Sequence, residues 1–439
     1  MKTFLRMELK ALYHLFKQYP VVSTDTRHIL PDSLFFALKG SNFNGNEFAE
    51  QALASGAAYA IIDEEQYQQD DRFVLVENVL ETLQALAHYH RRQLDIPFIG
   101  VTGTNGKTTT KELLNAVLSK KFKTYATHGN LNNHIGVPLT LLAIDQHIEI
   151  AIIEMGANHV GEIDFLCRIA EPTHGLISNV GKAHLEGFGS FEGVKKTKGE
   201  LYDWLQDNKG TLFLQADNLF LTEMAGRRQF KQVVKYGFSD SNAVIGRLIK
   251  ANPLLQIEWH LQGSEDLFQA DTQLTGAYNI ENFLAAIAIG HYFNVPLVNI
   301  NAAISEYKPT NNRSQITKTD RNTVICDYYN ANATSMEAAL ANMRIVEAEH
   351  KVVILGDMFE LGAESFDEHK KVIAYAKTIQ DARLIFVGKA FCEHNEIGGE
   401  FFETTNDVKM SLANEPISDS TILLKASRGM AFEKLLEVL

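Results

Sequence analysis

The sequence predicts an α/β protein of three domains with largely parallel sheets, and three observations carry that reading. Short apolar strands alternate with helical stretches along nearly the whole chain. The chain has 439 residues, more than one hydrophobic core normally organises. Breaks unable to continue a helix fall at Asp95-Ile96-Pro97 and at Tyr307-Lys308-Pro309-Thr310-Asn311-Asn312. These breaks set expected domains at 1–95, 96–308 and 309–439.

The first block closes with a helical run over Val79–Leu94. His88 and His90 lie within it, two apart and so on different faces, and read as solvated surface. Pro97 then opens the strand Phe98–Val101, and a helix is expected over Thr108–Leu118. The middle block runs through further strand–helix units, becomes β-rich near Lys250–Gln262, and turns helical again over Asn279–Phe293. After the second break the alternation restarts with strand Val324–Cys326, helix Ser335–Val346, strand Val352–Leu355, helix Glu364–Thr378 and strand Leu384–Val387. Strand Ile422–Leu424 and a helix from Met430 complete it.

Hydrophobic residues at 45% and charged residues at 22% are the proportions of a globular protein. The formal net charge of −13 argues against a nucleic-acid or anionic-membrane binder, whose footprint is basic, while leaving room for a local anion pocket. Cys167, Cys326 and Cys392 show neither zinc spacing nor a disulfide framework, so a cytoplasmic, reducing location is expected. Met1–Lys17 carries Lys2, Arg6, Glu8 and Lys10 through its apolar positions and does not read as a secretory segment. Asn282–Ser305, free of Asp, Glu, Lys and Arg, is interrupted by Asn294 and Pro296 and reads as a core helix and turn, with no membrane span. Nothing in the sequence suggests an obligate assembly, and a monomer is expected.

The strongest chemical signal is Gly103-Thr104-Asn105-Gly106-Lys107-Thr108-Thr109, placed between a strand and a helix. Glycines let backbone N–H groups turn inward to phosphate oxygens, and the helix N-terminus adds its positive end. Lys107 would meet the β- and γ-phosphates and Thr108 a magnesium ion. The strict eight-residue phosphate-loop pattern is not met, because its first glycine would fall on Val101. Two other strands end in candidate metal ligands. Ile150–Ile153 runs into Glu154, and Gly175–Ser178 leads through Asn179 to His184. Ligands collect outside the carboxyl ends of strands in open parallel sheets, and magnesium prefers oxygen donors. Gly187-Phe188-Gly189 lacks a dinucleotide-fold context, so no nicotinamide cofactor is indicated. By residue chemistry alone Lys198, among Lys195, Lys196 and Glu200, reads as solvated surface, Arg313 likewise, and Asp327 as a turn cap.

The run from Gly103 to Lys111 resembles the ATP loop of the Mur ligases, which extend the peptide of the bacterial cell-wall precursor. Ser23-Thr24-Asp25-Thr26-Arg27 and Phe35–Gly40 are similar to that family's uridine-nucleotide domain. GNLNNHIGVPLTLL (129–142) and NVGKAHLEGFGS (179–190) look like its middle domain. Asp327–Asn332, ILGDMFELG (354–362) and Leu424–Arg428 look like its C-terminal domain. The loop is shared across the family and with folylpolyglutamate synthetases. The first-block and last-block motifs resemble the member that adds a D-alanyl-D-alanine dipeptide.

The resemblance implies a small N-terminal α/β domain, a central P-loop-type mostly parallel sheet and a Rossmann-like C-terminal domain. It implies ATP and Mg2+ as cofactors, and UDP-N-acetylmuramoyl-tripeptide and D-alanyl-D-alanine as substrates. Ser23, Thr24, Asp25, Arg27, Lys39 and Gly40 would bind the UDP-sugar. Gly103, Thr104, Asn105, Gly106, Lys107, Thr108, Thr109, Asn279, Asn282, Arg313 and Asp357 would bind ATP, with Asn279 and Asn282 near adenine, Asp357 near ribose and Arg313 near the transferring phosphate. Asp327, Asn330 and Asn332 would bind the dipeptide, and Thr108, Glu154 and His184 the metal. Lys107, Lys198 and Arg313 would be catalytic, Lys198 as a carbamate. Tyr278, Ala333 and Ala426 depart from the family pattern, where histidine, proline and glycine are usual. The implied reaction is ATP-dependent amide formation through an acyl phosphate; the alternatives are another Mur ligase, a folylpolyglutamate synthetase-like ligase, or an ATP-dependent switch.

Overall fold

The computed structural model describes residues 7–439, so the first six residues of the N-terminal stretch lie outside the described residues. The chain divides into two compact units. One runs through Val101 and includes Phe122–Ala157 and Gly161–Gly175; the other comprises Thr102–Lys121, Asn158–Val160 and Leu176–Leu439.

In the first unit, Val21–Ser23, Ser33–Phe36, Tyr59–Ile62 and Phe73–Leu75 form a four-stranded parallel sheet in that order. Ser33–Phe36 is buried throughout, the run expected of a strand covered on both faces. Lys39–Gly40 pairs antiparallel with Phe43–Asn44 as a small hairpin. Phe98–Thr102 pairs in parallel with Ile150–Glu154, with Val101 opposite Glu154, and Thr124–Ala126 adds to the other edge. The helix over Val79–Arg91 starts at Asn78, whose side chain accepts the Glu81 N–H. His90 on this helix is buried, not solvated as its charge-rich surroundings suggest. Its Nε2 meets the Ile144 carbonyl at 2.7 Å and burial lowers its pKa.

In the second unit, Thr211–Gln215, Gln232–Gly237 and Val244–Ala251 pair in parallel, and Leu254–Leu261 and Phe268–Thr275 continue antiparallel. The helix Ile280–Tyr292 is apolar almost all round and accordingly buried. It packs on the helix Lys107–Leu118 closely enough that a Cβ at Gly290 would lie 2.4 Å from Val117. The last block forms a six-stranded sheet ordered Gln315–Lys318, Thr323–Cys326, Ser420–Lys425, His350–Gly356, Ala382–Val387, Glu400–Phe402. Only its first pair is antiparallel. Separate apolar clusters flank it, one around Met336, Ile373 and Phe391, the other around Val408, Ile422 and Phe432. The expected terminal helix from Met430 is instead two 3-10 stretches, Arg428–Met430 and Phe432–Glu437. Ala431 between them has a φ of 55°, which a continuous α-helix does not accommodate.

Candidate active site

The phosphate-type loop is shaped by its own glycines and braced by the segment around Asn179. Gly103 has a φ of 147°, and a Cβ there would lie 2.1 Å from Ser178 Oγ. Gly106, at φ 77°, starts the helix Lys107–Leu118 in a left-handed conformation suited to glycine. The Thr104 N–H donates to the Asn179 carbonyl at 3.0 Å, and the Asn105 N–H to Asn179 Oδ1 at 2.9 Å. Thr104 Oγ1 accepts the Gly181 N–H at 3.0 Å. Lys107 folds its ammonium back onto the carbonyls of Gly103 and Thr104, at 2.8 and 3.1 Å. Thr108 and Thr109 are buried in the first helical turn.

Asn279 and Asn282 lie behind this loop, and their amides are committed to structure. Asn282 Oδ1 accepts from Thr110 Oγ1 at 3.0 Å, Asn282 Nδ2 donates to Asn279 Oδ1 at 2.8 Å, and Asn279 Nδ2 donates to the Thr275 carbonyl at 2.7 Å. A Cβ at Gly106 would sit 2.9 Å from Asn282 Oδ1, so Asn282 also sets how closely the loop approaches.

A cavity of about 280 Å³ opens beside the loop, lined by Asn105, Gly106 and Asn282 and by Arg313, Asp327 and Tyr329. Among the described residues Arg313 makes no ion pair, and its buried Nε has no hydrogen-bond partner. Its guanidinium carbon lies 3.8 Å from the centroid of the Tyr329 ring. Asp327 lines the cavity and has two partners there. Its Oδ2 accepts from Lys425 Nζ at 2.7 Å and its Oδ1 from the Ser314 N–H at 3.2 Å, while Lys425 is only 2% exposed. Asn330 also lines the cavity and accepts the Ala331 N–H on its own side chain. Asn332 caps the helix Ala333–Ile345, and its Nδ2 donates to Asn105 Oδ1 at 2.8 Å. Glu281 faces the cavity with its carboxyl pushed up to about 7 by burial, the charge of Asp217 adding to the shift.

A second cluster surrounds His184, which adopts a φ of 49° and turns its Nδ1 to the Glu360 carboxylate. Burial lowers the His184 pKa; Glu360 opposes that shift, and the cations of Lys107 and Lys198 reinforce it. The three sequence-predicted groups Lys107, His184 and Lys198 are therefore electrostatic neighbours. Lys198 corrects the reading drawn from its charged surroundings. On the helix Phe191–Asp207 it belongs to the inward face with Val194, Leu201 and Leu205, and it is 2% exposed. Its Nζ lies 5.3 Å from the Phe188 ring centroid.

Other expected residues occupy different settings. Asp357 accepts the backbone N–H groups of Ala390 and Phe391, both at 3.1 Å, at the start of the short helix Lys389–Cys392. It does not line the cavity beside the loop. In the first unit, Asp25 caps the turn Thr26–His28 and forks onto Arg27, with Nη2···Oδ2 at 2.7 Å. That guanidinium holds the Asp25 carboxyl well below the usual range. Ser23 Oγ donates to the Asp25 carbonyl, and Thr24 precedes the turn. Lys39, beside Gly40 in the hairpin, is bound by Asp63 and Glu64 at 2.9 and 2.8 Å. Glu154, also in the first unit, is buried at a strand end, with Oε1 accepting from Asn132 Nδ2 at 2.8 Å. Among the described residues no three His, Cys, Asp or Glu side chains form a metal cluster. Tyr329, Lys425, Glu281 and Glu360 are the site residues that sequence reasoning missed. Tyr329, Lys425 and Glu360 stand inside motifs it had singled out, whereas their contacts depend on tertiary packing.

Family models for the Mur ligase middle domain, the Mur ligase glutamate ligase domain and the Mur ligase catalytic domain match residues 101–290, 312–427 and 18–96. The UDP-N-acetylmuramoyl-tripeptide–D-alanyl-D-alanine ligase of Bacillus subtilis is 34% identical over 432 residues, covering 95% of this chain and 92% of the relative. That of Escherichia coli is 35% identical over 435 residues, covering 95% and 93%. A crystal structure of MurF from Acinetobacter baumannii, 29% identical, superposes with a TM-score of 0.84 over 95% of this chain and 92% of that one.

Proposed function

The chain belongs to the Mur ligase family, and from that premise we propose that it is the ADP-forming ligase that joins D-alanyl-D-alanine to UDP-N-acetylmuramoyl-tripeptide in peptidoglycan precursor synthesis. The observation that supports this most directly is the cavity beside the phosphate-type loop, lined also by Arg313, which has no ion pair among the described residues. A carboxylate is a poor electrophile, so the tripeptide carboxylate first takes the γ-phosphoryl group of ATP, giving an acyl phosphate and ADP. The dipeptide amine attacks the acyl carbon, the bond to phosphate breaks, and the amine's proton is lost as the amide forms.

Phosphoryl transfer leaves the protein mainly positioning and charge neutralisation to perform. Backbone N–H groups at the helix start, from Gly106 to Thr109, hold the β- and γ-phosphates, while those of Thr104 and Asn105 brace the loop on Asn179. Lys107 exchanges its two carbonyl contacts for phosphate oxygens, and Arg313 meets the transferring group. Magnesium usually takes few protein ligands and completes its shell with phosphate and water, which fits a donor set centred on the Thr108 hydroxyl and His184. When bound, it would neutralise charge on the triphosphate. Glu154 is kept as a proposed ligand on the chemistry of its own buried carboxylate. Lys198, buried in an otherwise apolar helix face, is proposed to carry a carbamate formed from its neutral amine and carbon dioxide with loss of a proton. Residues 1–95 are assigned the UDP-sugar, 96–308 ATP, and 309–439 the dipeptide with part of the nucleotide. Three free cysteines, two of them buried, suit a reducing, cytoplasmic location, and the protein is proposed to act as a monomer; no described helix is long and apolar enough to cross a membrane.

Phosphate release measured with ATP, the UDP-sugar tripeptide and the dipeptide, each omitted in turn, tests the proposal. Release only with all three present is expected; release indifferent to both co-substrates refutes a ligase.

A further inference from the structure

The placement of Arg313 poses a physical problem that its neighbours answer. Arginine has a long, flexible side chain, and a cation serving a transferring phosphoryl group must be held within a fraction of an ångström. A carboxylate partner would hold it, yet would occupy the N–H donors that phosphate oxygens need. Among the described residues no carboxylate pairs with Arg313, and its Nε has no acceptor. What lies against it is the face of Tyr329, with the guanidinium carbon 3.8 Å from the ring centroid. At that distance the plane of the guanidinium is constrained while its edge stays open. Arg313 and Tyr329 both line the cavity beside the phosphate-type loop. The guanidinium of Arg428 lies 5.4 Å from the same centroid.

We infer that Tyr329 is a positioning residue for phosphoryl transfer, its ring serving as the platform that holds Arg313 in plane with the donors free. The inference rests on the reading of Arg313 as the phosphoryl contact. Because the ring acts through its face, the hydroxyl is dispensable. The strand end Thr323–Cys326 leads directly into this segment, and Asp327 two residues earlier is anchored to Lys425, so the ring is held by the sheet rather than by a free loop.

The test uses the full-length protein with all three substrates and the variants Arg313→Ala, Tyr329→Leu, Tyr329→Phe and the Arg313→Ala/Tyr329→Leu double change. Tyr329 is half-exposed, so thermal midpoints close to that of the unaltered protein are expected for the single changes. Tyr329→Leu should lower kcat about 10- to 100-fold with KM for ATP altered less than about threefold, and Tyr329→Phe should restore kcat to within about twofold. The double variant should be no slower than Arg313→Ala alone, because the ring has nothing left to position. Unchanged kcat in Tyr329→Leu, a Phe variant as slow as the Leu variant, or fully multiplicative losses in the double variant would each overturn the platform role. Unchanged kcat in Arg313→Ala would instead overturn the underlying assignment of Arg313, so the two failures are separable.

Discussion

The loop around Lys107 and the wall around Arg313 and Asp327 face the same cavity and hold their cations by different means. Lys107 is anchored on carbonyls three and four residues away, in a conformation set by two glycines of the same loop. The wall depends on distant partners: Asp327 and Lys425 are 98 residues apart, and Arg313 leans on a ring from the next strand end. Losing a loop cation should therefore cost rate and little stability, whereas losing a paired wall charge such as Asp327 should cost stability first, because it strands a buried partner. Lys198 belongs with the wall in this respect, because only the packing of its helix takes it out of water.

The largest expected effect is at Lys107. Its replacement by alanine should lower kcat by about a thousandfold or more, as removal of a positioned charge from phosphoryl transfer does. Its stability should change by less than about 0.5 kcal/mol. A large loss of melting temperature in this variant would erase the contrast between loop and wall.

Asp327→Ala should destabilise the protein by about 3–5 kcal/mol, because it strands the Lys425 ammonium at 2% exposure. Adding Lys425→Met should recover most of that loss, and denaturant midpoints of the two variants check it. If the single change costs no more than a surface substitution, the ion pair is not what holds the wall.

Gly106→Ala should cost about 1–3 kcal/mol, from an alanine forced to φ 77° and a Cβ pressed toward Asn282. Relieving the contact with Asn282→Ala would return only the steric share. Full recovery in that double variant would show that backbone conformation contributes nothing here.

The remaining effect, spread over more than two pH units, concerns Glu281. Its folded carboxyl titrates at about 7, against 4.5 for an unperturbed glutamate, so the folded state holds the proton more tightly than the unfolded chain. Its contribution is fully present below pH 4.5 and is lost as pH rises through 7, at about 1.4 kcal/mol per pH unit or less. Unfolding midpoints from pH 5 to 8 should show Glu281→Gln gaining on the unaltered protein up to pH 7 and holding level above it. A gap independent of pH would refute the shift.

The alternation of strands and helices, the loop with its glycines and lysine, and the all-round apolar helix at Ile280–Tyr292 were legible in the sequence. Each is governed by interactions within a few residues or by burial on every side. His90 and Lys198 were not legible, because a charged local neighbourhood does not say which helix face turns inward. The family resemblance marked Asp327 and Asp357, but not the contacts that anchor their carboxylates, to Lys425 and to the N–H groups of Ala390 and Phe391. By itself, then, the sequence determined the architecture and the phosphate-type loop, since backbone conformation and hydrophobic periodicity are local properties. Only the tertiary structure decided which charges face the cavity and which are neutralised, because pairing and desolvation depend on groups tens to hundreds of residues apart.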